Sequence, residues 1–179
     1  MTERDRDFFA TLQHIVEHPE KFVLLDTETT GLGTADQVIE LGILGLDGTV
    51  LLDTLVRPTC RISPKATEVN GITEEQVAAA PSWAVVWRQA EPLLKGKRLI
   101  AYNAAFDVRM LKQSCRAVGV KEPFLRSLCL MEAVAAWRGC RTALSHFAKG
   151  PQRHRAVDDC RVMLEDIILT YYEKLSAEG

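Results

Sequence analysis

Near the start of the chain an apolar run ends in two carboxylates: Phe22-Val-Leu-Leu-Asp-Thr-Glu-Thr-Thr-Gly-Leu32 carries Asp26 and Glu28 where a buried strand should end. Side chains two apart on a strand share a face, so the two acids stand roughly 6 to 7 Å apart, beside Leu24. On a half-buried face such a pair repels itself and each pKa rises unless a cation sits between them. A divalent metal is the simplest remedy, and an all-oxygen donor set favours Mg²⁺ or Mn²⁺ over zinc.

Two further stretches offer the same kind of group. In Ala101-Tyr-Asn-Ala-Ala-Phe-Asp-Val-Arg-Met-Leu111, Asp107 falls in the first turns of a helix that leaves a buried strand. There the positive helix end favours a carboxylate, although a first-turn Asp is also an ordinary helix feature. In His154-Arg-Ala-Val-Asp-Asp159, a helix starts beside a histidine. Ala156, Cys160, Met163, Leu164, Ile167 and Tyr171 form its inward stripe; Asp159 borders that stripe and Asp158 points to water, so Asp159 is the expected ligand. Helix-dipole matching and a polar loop residue are the plainer readings of these acids and of His154.

The elements that must position these groups can be read from periodicity and turn residues. Residues 7–17 space Phe8, Phe9, Leu12, Ile15 and Val16 as an amphipathic helix stopped near Pro19. His14 and His18, four apart on it, have no evident third ligand. Strands are expected at 22–29, 37–46 and 49–56, the last two joined by Asp47-Gly48, a two-residue hairpin signal needing positive φ at both positions. The first three strands thus form an antiparallel meander. Residues 57–72, with Pro58, Pro64, Asn70 and Gly71, show no period and are expected as a loop at the rim of the site. Thr73-Glu-Glu-Gln76 has the form of a capping box, and Ser82 opens a helix carrying Trp83, Val86, Trp87 and Ala90, with Pro92 either kinking it or starting a separate turn. A strand at 97–102 feeds a helix over 103–118 ended by Gly119, a fifth strand near 126–130 feeds another through Trp137, a short helix spans 142–149 before Gly150-Pro151, and the longest runs from about 155 to 175. The pattern is that of an α/β domain with a mixed sheet.

The chain has 179 residues, 47% hydrophobic and 26% charged, which suits one globular domain with a substantial core. No apolar leader or eighteen-residue apolar run is present, which predicts neither secretion nor a membrane partner. Five scattered cysteines without a CxxC point to a reducing, cytoplasmic compartment. A net charge of -2 excludes a protein that coats nucleic acid through many phosphate contacts, though a local grip on a strand end stays compatible.

Taken in order, the acid pair, the strand-helix Asp and the His with an Asp five residues on resemble the motifs of the DEDDh 3'-5' exonucleases, typified by the proofreading epsilon subunit of bacterial DNA polymerase III. The likeness runs from about 21 to 172. Residues 26–32 match the first motif, Asn103-Ala-Ala-Phe-Asp107 the second, and His154 with Asp159 the third. Val69-Asn-Gly-Ile-Thr73 is similar to a loop that usually reads Val/Ile-His-Gly-Ile. Asn70, and Tyr102 where His is common, depart from the pattern and bear on substrate preference more than on chemistry.

The resemblance implies an RNase H-like mixed five-stranded sheet, a three-strand antiparallel meander plus two parallel strands, flanked by helices. It implies one exonuclease domain over 1–179, with 1–20 a helical extension and 21–175 the catalytic core. Asp26, Glu28, Asp107 and Asp159 would hold two Mg²⁺ about 4 Å apart, Mn²⁺ able to substitute, with His154 as general base. Thr29, Thr30 and Leu32 would line the terminal nucleotide, Leu32 as an apolar wedge, with Asn103 and Phe106 completing the wall. Lys149, Arg153, Arg155 and Arg161 surround His154 and could attract phosphates.

The expected substrate is a single-stranded DNA 3' end, shortened to nucleoside 5'-monophosphates. Alternatives are an exoribonuclease on short RNA or RNA 3' tails, a non-catalytic polymerase-associated binding module, and a structural metal site or another phosphodiesterase on the same sheet. Nothing substantial follows the last helix, so no dedicated polymerase-binding tail is expected and the enzyme should act alone.

Overall fold

The structure, a computed structural model, describes residues 2–138 and 154–177. The expected helix over 142–149, the break at Gly150-Pro151, Lys149 and Arg153 lie outside the described residues, as does the side chain of Tyr171.

At the centre is β1 (Phe22–Thr29), which alternates its apolar side chains between two cores. Val23 and Leu25 join one with Trp83, Val86, Trp87, Met110 and Leu111; Phe22 and Leu24 join the other with Phe8, Leu12, Ile15, Val157, Cys160 and Met163. Both faces of a strand this apolar must be covered by helices. β2 (Val38–Leu44) pairs antiparallel with β1 and with β3 (Val50–Leu55), while β4 (Arg98–Ala101) runs parallel to β1 and to β5 (Arg126–Cys129). The sheet order β3-β2-β1-β4-β5 is the expected meander plus two parallel strands.

Seven α-helices flank it among the described residues: α1 (Glu3–Glu17), α2 (Pro64–Asn70), α3 (Glu74–Ala78), α4 (Trp83–Leu94), α5 (Ala104–Ala117), α6 (Leu130–Arg138) and α7 (Ala156–Ala177). α1 begins four residues before the expected start at 7, because Glu3, Arg4 and Arg6 are polar and exposed and leave no mark in the hydrophobic period. Pro92 stays inside α4, in its last turn. The capping box forms as expected, with Thr73 Oγ1 accepting from Gln76 N and the Gln76 side chain from Thr73 N at 2.8 Å.

Two local readings need correction. The hairpin between β2 and β3 is not a two-residue turn with both φ positive: only Gly48 has a positive φ, of 82°. Gly48 N donates to Gly45 O, Gly45 N to Thr49 O, and the Asp47 carboxylate accepts from Thr49 N, so the longer loop lets Asp47 cap the turn from an ordinary conformation. The supposed loop over 57–72 contains α2. Ser63 caps it, Pro64 opens it and Gly71 ends it at φ 70°. Seven residues are too few to show a period, but the Ser-Pro start and Gly stop were legible. The segment does brace the end of β1, since Ser63 N donates to Thr30 O and Asn70 Nδ2 to Thr29 O.

Candidate active site

Asp26 and Glu28 leave β1 on the face of Leu24, the face covered by α7. β1 departs from regular register between Glu28 and Thr29, where Glu28 stands opposite Glu40 of β2; such irregularities re-aim side chains beside active sites. Asp107 comes from the first turn of α5, is 4% exposed, and accepts a 2.8 Å hydrogen bond from Thr27 Oγ1. Thr27 points away from Asp26 and Glu28, so Asp107 reaches the strand end from the α5 side.

On the α7 side, Glu28, His154 and Asp159 offer ligand atoms that all lie within 4.8 Å of one another. His154 precedes the helix in the left-handed region, at φ 46°. Asp158 turns outward to Arg161 at 2.8 Å, which leaves Asp159 as the inward acid of the pair. Of the cations near His154, Arg161 is thus paired with Asp158 and Arg155 with Glu40.

The electrostatics tie the acids together. Burial, then the charges of Asp107, Asp159, Glu28 and Glu40, hold the Asp26 carboxyl well above its ordinary range. Burial and the charges of Asp159 and Glu40 push Glu28 up to about 7, partly offset by a hydrogen bond from Asn70 and by Arg155. Asp107 and Asp159 are also raised, each chiefly by burial, with Thr27 and His154 respectively pulling the other way. Carboxylates this close cannot all ionise without a neutralising charge. Four acids and one imidazole suit hard divalent ions, so these residues fit the metal expected from the sequence.

Next to the acids, the Gly31–Asp36 turn presents Leu32, 73% exposed. Arg109 Nη1 donates to Leu32 O and Gly33 O, Gln113 Nε2 to Gly33 O and Asp36 O, and Asp36 accepts from Gly33 N at 2.6 Å. A Cβ on Gly31 would fall 2.7 Å from Asp36 Oδ2 and displace the carboxylate that bonds Thr30 and Gly33 N. Phe106 is half-buried with the Arg109 guanidinium 5.2 Å over its ring, and Asn103 is exposed at the helix start. Thr29 donates to Gly31 O. Thr30 is fully buried, donating to Asp36 Oδ1 and accepting from Gln37 N, so its hydroxyl supports the turn.

Residues that sequence reasoning passed over are Glu40, Gly42, Arg109 and Gln113. A charged residue in a strand buried at all seven positions was the one available signal, for Glu40. The other three act through contacts remote in sequence, which no local spacing reveals.

A family profile described as exonuclease matches residues 23–165, most of the chain and all of the cluster. The chain belongs to the DEDDh-type 3'-5' exonuclease family. It is 33% identical over 162 residues to an uncharacterized exonuclease, CP81, of Escherichia phage 186, covering 79% of this chain and 84% of that protein. It is 29% identical over 170 residues to the DNA polymerase III epsilon subunit of Treponema pallidum, covering 88% and 77%. Among solved structures, exonuclease X in complex with 5' overhanging duplex DNA superposes with a TM-score of 0.57 at 26% identity, over 83% of this chain and 92% of that one. This exonuclease therefore has the RNase H-like sheet of its family; exonucleases of this kind depend on divalent metal, and Glu28, His154 and Asp159 form an acidic site here that could hold one. No helix among the described residues is long and apolar enough to cross a membrane.

Proposed function

We propose that this exonuclease removes nucleoside 5'-monophosphates from the 3' end of single-stranded DNA by metal-assisted hydrolysis, with His154 as general base. The observation that carries the reading is the meeting of Glu28, His154 and Asp159 within 4.8 Å, beside Asp26, at the end of β1. An imidazole next to metal-type carboxylates has a task that the carboxylates cannot share, because they are committed to cations.

Asp26, Glu28, Asp107 and Asp159 would hold two Mg²⁺, with Mn²⁺ able to replace them. Bound there, the ions would supply a more acidic water and charge neutralisation at the scissile phosphate. His154, whose ring lies beside Asp159 and Glu28, takes the proton of the attacking water on a ring nitrogen. Leu32 packs against the terminal base as a wedge whose turn is already fixed by Arg109 and Gln113. Thr29, Asn103 and the Phe106 ring complete the wall of that subsite. No covalent intermediate is required.

DNA is favoured over RNA by the likeness to exonuclease X, solved with DNA. The enzyme works as one domain, core 21–175 with a helical extension, in the cytoplasm, consistent with Cys60, Cys115, Cys129 and Cys160 all being free. The test is digestion of a 5'-labelled single strand with and without chelator. A shortening ladder that needs Mg²⁺ or Mn²⁺ is expected, and matched DNA and RNA oligomers fix the sugar. Binding of the strand with no mononucleotide released would refute it.

A further inference from the structure

We propose that Glu40 is a positioning residue: it latches the start of α7 to β2 and so sets where His154 and Asp159 meet Glu28. This rests on the metal-dependent nuclease reading above.

Glu40 interrupts the apolar strand Val38-Ile-Glu-Leu-Gly-Ile-Leu44 and is 1% exposed. A carboxylate is costly there unless its oxygens are bonded. Both are: Oε1 is paired with the Arg155 guanidinium, and Oε2 accepts from Ala156 N at 3.0 Å. Ala156 is the first residue of α7, so Glu40 supplies from a distant strand the acceptor that a capping side chain normally gives to an orphan N–H. Although Glu40 stands opposite Glu28, its oxygens are taken by protein donors, which separates it from the ligand set.

The seat next to the latch is equally specific. Two residues on, Gly42 lies opposite Asp26, and a Cβ there would fall 2.6 Å from Ala156 C and 2.7 Å from Val157 N. The first turn of α7 rests on bare β2 backbone, with Cys160 Sγ 3.8 Å from Gly42 O. Glu40 and Gly42 together therefore fix both the height and the register of the helix start. His154 immediately precedes the latched pair Arg155-Ala156, and its left-handed φ, unfavourable for a residue with a side chain, persists because the next two residues are held. Asp159 follows in the same first turn.

Glu40 also keeps Arg155 occupied. Glu40 stands opposite Glu28, so a guanidinium released from Glu40 would lie beside the acid cluster and compete there with divalent ions.

The test compares parent, Glu40→Gln, Glu40→Ala and Arg155→Gln. Three measurements are made on each: calorimetric titration with Mn²⁺ alone, amide hydrogen exchange, and single-strand digestion kinetics. Glu40→Gln keeps an acceptor for Ala156 but not the charge for Arg155. It should weaken Mn²⁺ binding and lower kcat by about 10- to 100-fold, as loss of an outer partner of metal ligands typically does, with KM within about twofold. Faster exchange should be confined to the first turn of α7, with β1 and β2 still protected. Combining Glu40→Gln with Arg155→Gln should restore part of the Mn²⁺ affinity, since the freed cation is removed. Parent-like Mn²⁺ affinity and kcat in Glu40→Gln would overturn the proposal, and so would protection lost across the whole sheet with kcat and the active fraction falling together, which marks a merely structural residue. If Glu40→Ala does not fold, Glu40→Gln alone decides. A parent protein that binds Mn²⁺ but releases no mononucleotide would sink the nuclease reading while leaving the Mn²⁺ and exchange comparisons to judge Glu40.

Discussion

Removing the metal should make this protein less stable as pH rises, the reverse of ordinary acid denaturation. Glu28 is pushed from 4.5 to about 7 in the folded chain. Between those values the folded state holds a proton that the unfolded state has lost, so stability declines with rising pH across that window and levels off above it. At 1.36 kcal/mol per pKa unit, Glu28 alone contributes a loss of roughly 3 kcal/mol. Asp26, Asp107 and Asp159 are shifted the same way and extend the effect. Asp47, held low by hydrogen bonds from Thr49, and Glu75, held low by Thr73, titrate below the window and do not offset it. For a domain of this size 1 kcal/mol moves Tm by about 2 to 4 °C, so the Glu28 share is worth roughly 6 to 12 °C. The assay is urea and thermal unfolding in chelator at about pH 5 and about pH 8, repeated at the higher pH with Mn²⁺, which should return about 2.7 kcal/mol at a hundredfold excess over Kd. Glu28→Gln should flatten the slope. Chelated protein that is equally or more stable at the higher pH, or an unchanged slope in Glu28→Gln, would refute the electrostatic account of the cluster.

Other substitutions probe separate parts of the site. His154→Ala should lower turnover by about 10² to 10⁴ while Mn²⁺ binding, read by calorimetry, is retained. Asp26→Ala and Asp159→Asn should abolish digestion and weaken Mn²⁺ binding; turnover within a few-fold of parent would show the ligand assignment to be wrong. Gly42→Ala forces a methyl against α7 backbone and should cost about 1 to 3 kcal/mol in urea unfolding, with turnover reduced as well. Leu32→Ala should raise KM for single strands with metal affinity unchanged, and Arg109→Ala should do the same through the loosened turn, as steady-state kinetics would reveal.

Much of the fold is legible because its signals are local. The apolar run before Asp26, the apolar runs of the meander and the capping box at Thr73 each need only a few adjacent residues. The order of the three acidic motifs, together with His154, was enough to name the family. What escaped depends on partners far apart in the chain. Nothing near Glu40 hints at Ala156, and nothing near Gly42 says that a helix will lie on it. The sequence likewise did not announce that the Thr30 hydroxyl is engaged by Asp36 and Gln37. α2 was hidden for the opposite reason, its punctuation being visible and its period too short.

The cluster draws on β1, α5 and α7, whose acids lie between residues 26 and 159 of one chain. During synthesis the sheet strands and Asp107 emerge well before α7, so a nascent chain carries most of the carboxylates but neither the imidazole nor the last acid. The proposed set of ligands and base is therefore assembled only once α7 has docked on Gly42.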